Sequence, residues 1–111
     1  MQNEDISPFK ALDFIRDNAR AFAQAKADVV YMSEFRKTMK ALLMNECTAK
    51  TQSEKESYAY AHASYIKHLD ALREAHEKCE ELRWLMVGAE AKIEVWRSLE
   101  SSARMEVKAT Q

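Results

Sequence analysis

His76 and Cys79 stand three residues apart, with Glu80 one position further on. On a helix all three share one side, and two such sets in a dimer offer four ligands in the tetrahedral arrangement that zinc prefers. The plainer reading is a histidine at a polar edge beside a core cysteine, since free cysteine commonly packs as a small hydrophobe. A Cys–His nucleophile would also need a pocket and an oxyanion donor, which paired helices rarely provide. Arg36, Lys37 and Lys40, with Tyr31 and Phe35 nearby, form the best candidate for a nucleic-acid face. Phosphate contact needs clustered cations, and single strands stack on exposed aromatics. Phe35 fits a core series better than a stacking platform, and Arg16 and Arg20 are partly answered by Asp13 and Asp17. Tyr58, Tyr60 and Tyr65, with His62, make an aromatic, polar-tipped start to the second helix that could bind a partner. The plainer reading is that Tyr58 and Tyr65 are core positions whose hydroxyls reach water.

Other chemistry lacks its residues. The chain has a single glycine, whereas phosphate-cradling loops need several so that backbone can approach the ligand. The di-iron bundle signature needs Glu-x-x-His, but Ala59, Tyr65 and Arg73 precede the three histidines by three. No metal or cofactor is expected, and no enzymatic activity.

The elements that must carry these residues are helices. One glycine and one proline in 111 residues leave few of the breakers that sheets and tight turns use. Ser7-Pro8 reads as a helix start, with Ser7 as cap and Pro8 at the first helical position. Nothing stops a first helix until about residue 47. Leu12, Ile15, Ala19, Phe22 and Val29 fall at helical spacing, as do Met32, Phe35, Met39 and Leu42. The two series are out of phase around Lys26–Val30, which implies a stagger, a bend or two shorter helices. Residues 48–53 form the connection. Ser53 and Glu56 match a capping box, so a second helix is expected over about 54–107.

That second helix carries a heptad pattern. Tyr58, Tyr65, Leu72, Cys79, Met86 and Ile93 recur every seven residues, with Ala61, His68, Ala75, Leu82, Ala89 and Trp96 three positions after each. Alternating small and large residues let helices approach closely while the large ones fill the gaps between. From Leu82 to Ala89 only Arg83 is strongly polar, so this stretch is apolar all round and needs cover on more than one side. At 1.5 Å per residue the second helix is about 80 Å long and the first about 58 Å. A hairpin of the two leaves the end of the second unpartnered. The expected architecture is therefore all-α: two long helices in an antiparallel, coiled-coil-like hairpin, associating as a homo-oligomer into a multi-helix bundle. Tyr65, Leu72, Cys79, Leu82, Met86, Ala89, Ile93 and Trp96 are its expected seam.

Charge does not point to a polyanionic partner. Residues 1–52 carry 8 basic and 7 acidic side chains and residues 53–111 carry 9 and 11, a net charge of −1 in all. No global field then draws the chain to nucleic acid or anionic lipid. No apolar run approaches a membrane span. The start, MQNEDISPFK, does not read as a signal peptide, and reduced thiols in a cytoplasm are the expectation for Cys47 and Cys79.

The second half also resembles a group of small helical proteins encoded by tailed bacteriophages and prophages. The resemblance rests on LDALREA at Leu69–Ala75 and LRWLMVGAEAKIEVWR at Leu82–Arg97. It implies a cytoplasmic accessory protein of an infected bacterium, encoded among recombination and replication genes and acting through an unidentified protein partner. It transfers no functional residue. Direct DNA binding through the Arg36, Lys37 and Lys40 face is the alternative expectation, and a metal-assisted enzyme at His76 and Cys79 the remaining one.

Overall fold

The computed structural model describes residues 7–110. These form three helices and no strand: α1 (Pro8–Glu46), α2 (Gln52–Ala61) and α3 (Ala63–Thr110). α1 begins as its sequence dictates. The Lys10 amide donates to Ser7 Oγ at 3.3 Å, and Pro8 occupies the first position, where a missing N–H leaves nothing unsatisfied.

α1 runs unbroken through Lys26–Val30, so the phase conflict does not divide it into two helices. Ala11, Ile15, Asn18, Phe22, Ala25, Val29 and Met32 are all buried or half-buried. They follow one alternation of fours and threes. Asn18 and Ala25 close the apparent gap because a small residue, and an amide that donates to the Phe14 carbonyl at 2.9 Å, sit in the stripe as readily as large apolar ones. Leu12 and Leu42, which the larger residues had suggested as core, are more than half exposed, whereas Leu43 is buried.

The connection ends two residues earlier than the capping box at Ser53 implied. Thr51 is the cap, accepting from the Glu54 amide at 3.2 Å. Thr51 and Glu54 have the same capping-box spacing as Ser53 and Glu56, and the earlier start gains two helical residues. The expected second helix is also divided. His62, with φ −67° and ψ 139°, is extended between α2 and α3. Its amide donates to the Ala59 carbonyl at 3.3 Å, closing α2, and its own carbonyl accepts from Ile66 at 3.1 Å, opening α3. Its ring Nδ1 accepts from the Ser64 amide at 3.0 Å.

The described residues fall into two compact units. One comprises Ala23–Glu80; the other combines residues 7–22 with 81–110. In the first, Leu43, Ala59 and Tyr65 form the buried cluster, with Met39 and Met44 packed against it. The break at His62 changes the helical phase, which is why Ala59 is enclosed at 0% exposure while Tyr58 lies outside, against the heptad series. Tyr58 instead packs its ring against His62, with centroids 5.6 Å apart. Beyond the break, Tyr65 and Leu72 are buried and His68, Ala75 and Cys79 half-buried. In the second unit the less exposed residues are Ala11, Phe14, Ile15, Asn18 and Phe22 of α1, with Leu82, Met86, Ala89 and Ile93 of α3.

Candidate interaction surface

The expected seam residues of α3 are the ones the chain itself covers. Tyr65, Leu72 and Ala89 are buried, and Cys79, Leu82, Met86 and Ile93 are half-buried, leaving only Trp96 exposed. The heptad spacing located these positions. The surface open to another molecule lies elsewhere.

It lies on the far side of the same helix. At about 100° per residue, Trp84, Gly88, Ala91 and Val95 fall within an arc of about 60°. The arc is centred about 160° from the one holding Leu82, Met86, Ala89 and Ile93. All four are exposed, and Trp84 reaches 61%. Leu85 and Leu99, each about half exposed, flank them. The Arg83 guanidinium sits 4.6 Å from the Trp84 ring centroid, a contact that covers part of the indole with the aliphatic stem as well as the charge. A β-carbon added at Gly88 meets nothing within 4 Å. The glycine therefore answers no close approach inside this chain. The sequence showed this stretch to be apolar all round; the four-three-four spacing from Trp84 to Val95 was the signal for its outer face.

Two of the basic trio lie beside carboxylates. Lys37 lies 3.6 Å from Glu34. Lys40 lies 3.7 Å from Glu56 and 4.8 Å from the centre of the Tyr60 ring. A hydrogen bond with Tyr60, reinforced by the charges of Tyr60 and Glu56, holds the Lys40 ammonium above the ordinary lysine range despite some desolvation. Arg36 is exposed. Earlier in the chain, Arg16 pairs with both Asp13 and Asp17 at 3.2 Å. Tyr31 and Phe35 stack on each other with centroids 6.0 Å apart, and Phe35 is half-buried against His68.

His76 is exposed on α3 and Cys79 half-buried. Both cysteines are free thiols. Among the described residues no three His, Cys, Asp or Glu side chains come together as a metal site, and no helix is long and apolar enough to cross a membrane.

Comparison with known proteins brings no relative to this surface: no family model, curated protein or solved structure matches the chain.

Proposed function

We propose that this chain is a non-enzymatic interaction protein whose working form is a homo-oligomer. The observation that carries this reading is how little the described residues bury: seven are buried, four of them alanines, and no large side chain is fully enclosed. Burial on that scale offsets little of the entropy lost on ordering two helices of 39 and 48 residues.

Within each chain, an antiparallel hairpin of α1 and α3 is the arrangement we favour. It is supported by the matching three-four burial stripes on both helices and by the nested pairs Lys40–Glu56 and Met32–His68. Association of two hairpins then makes the multi-helix bundle. The accessory role in phage recombination or replication, through a further protein partner in the host cytoplasm, draws its support from the sequence resemblance. Direct DNA binding is the weaker reading, because Lys37 and Lys40 already face carboxylates.

Light scattering across a dilution series, with and without a short single-stranded DNA, tests the proposal. A dimer or larger species that ignores DNA is expected. A monomer at every concentration, or a species that gains mass only with DNA, would overturn it.

A further inference from the structure

We propose that the joint at His62 is a pH-sensitive switch. With the imidazole neutral, α2 and α3 are separate helices. On protonation they fuse into one, and α2 turns so that Tyr58 takes the place of Ala59 against Leu43. The switch goes beyond the interaction role proposed above and needs only one chain.

Nothing in the local sequence requires a break. Residues 58–66, YAYAHASYI, contain neither glycine nor proline, and three of the nine are alanine, the best helix former. In an unbroken helix the amides of His62, Ser64 and Tyr65 would bond to the carbonyls of Tyr58, Tyr60 and Ala61, four residues back. In the structure all three go elsewhere. The His62 amide donates to the Ala59 carbonyl and the Tyr65 amide to the His62 carbonyl. The Ser64 amide donates to His62 Nδ1 at 3.0 Å. Of these substitutes only the last depends on a side chain.

Two sets of residues compete for the buried side of α2. Ala59 is enclosed and shares its cluster with Leu43 and Tyr65, while Tyr58 is exposed. On a continuous helix Ala59 and Tyr65 would stand about 120° apart, whereas Tyr58 and Tyr65 would lie within about 20°. The seven-residue series Tyr58, Tyr65, Leu72 thus fits the fused helix, and Ala59 with Tyr65 fits the divided one. Fusion brings the tyrosine under cover in place of the alanine. It also breaks the contacts of Lys40 with Glu56 and Tyr60, which hold α2 in its present turn.

His62 decides between the two states. A neutral ring accepts on Nδ1, but an imidazolium donates from both nitrogens. Two N–H groups would then oppose each other across 3.0 Å. That disfavours the divided state more than loss of the acceptor alone. Histidine changes charge between about pH 5 and pH 8. Around the joint, Tyr58 lies ring to ring with His62, and Lys40 of α1 engages Glu56 and Tyr60 of α2. Tyr65 of α3 packs edge-on to Tyr60. His68 of α3 donates to the Met32 carbonyl, a bond that survives protonation of its ring.

Nuclear magnetic resonance of the full chain at about pH 8 and about pH 5 tests the switch. At the higher pH, His62 should show the Cα shift of an extended residue, and the Leu43 methyls should show Overhauser contacts to Ala59. At the lower pH, the Cα shift should become helical and the Leu43 contacts should pass to the Tyr58 ring. The midpoint should follow the His62 ring protons. Ala63→Pro fixes the divided state, because proline suits the first position of α3 and keeps the preceding residue extended. Its acid spectrum should keep the Ala59 contacts. His62→Asn, an acceptor without charge, should likewise show no transition.

A His62 that stays extended after its ring has titrated would overturn the proposal, as would a helical His62 at both pH values. A transition that persists in His62→Asn would remove His62 as the trigger. If Leu43 lost both contacts in acid, the cluster would be coming apart rather than changing partner, and the switch would fall equally.

Discussion

His68 donates from Nε2 to the main-chain carbonyl of Met32 at 2.7 Å, across 36 residues of sequence. The carbonyl can only accept, so the ring carries its proton on Nε2. The same ring lies 5.6 Å from Phe35, tilted by 57°. One side chain of α3 thus meets α1 through both a polar and an aromatic contact. His68→Leu keeps the volume and removes the hydrogen bond. A loss of about 1–2 kcal/mol is expected, seen as a fall in thermal midpoint of several degrees. An unchanged midpoint would show that the contact contributes nothing to stability.

Capping at the start of α2 separates Thr51 from Ser53. Thr51→Ala should lower stability by about 1 kcal/mol, the usual cost of losing a side-chain cap. Ser53→Ala should be near neutral, because the Glu54 amide is satisfied by Thr51. Chemical denaturation of the two variants side by side checks this; equal losses would sink the assignment.

His62 caps two helices at once. His62→Ala removes the Nδ1 acceptor used by Ser64 and should speed hydrogen exchange at the Ser64 amide. His62→Asn restores a side-chain acceptor at a position where asparagine caps well, so it should recover about 1 kcal/mol of the loss. If alanine and asparagine behave alike, the ring acceptor does not hold the junction.

Lys40 predicts an alkaline effect of known sign. The Tyr60 hydrogen bond, then the charges of Tyr60 and Glu56, raise its folded pKa above the ordinary 10.5. The charged form is therefore favoured by folding. Its contribution is fully present below 10.5 and disappears as pH rises through the raised value. Lys40→Met should lower the urea midpoint at neutral pH, and the gap from wild type should close in strongly alkaline solution. A gap that persists there would assign the effect to packing of the lysine stem instead.

Much of the secondary structure is legible in the residues alone. The scarcity of glycine and proline means long helices, Ser7-Pro8 marks where the first begins, and the seven-residue repeat picks out Leu72, Cys79, Leu82, Met86, Ala89 and Ile93 as the sheltered side of α3. These are local properties, set by backbone freedom, capping and the period of the helix. Tertiary structure decided the rest. α1 keeps one stripe across Lys26–Val30 because Asn18 and Ala25 fit where a reading based on large side chains sees a gap. Leu43 rather than Leu42 is buried because the facing Ala59 and Tyr65 set its phase. The break at His62 is invisible in a pattern whose residues all favour helix, since it depends on how Ala59 and Tyr65 seat in one cluster. Likewise, Leu82–Trp96 is apolar all round in sequence, and only the chain's own packing separates the covered side from the open one. Periodicity says which residues share a side of a helix; which side is covered is settled by contacts between residues far apart in the chain.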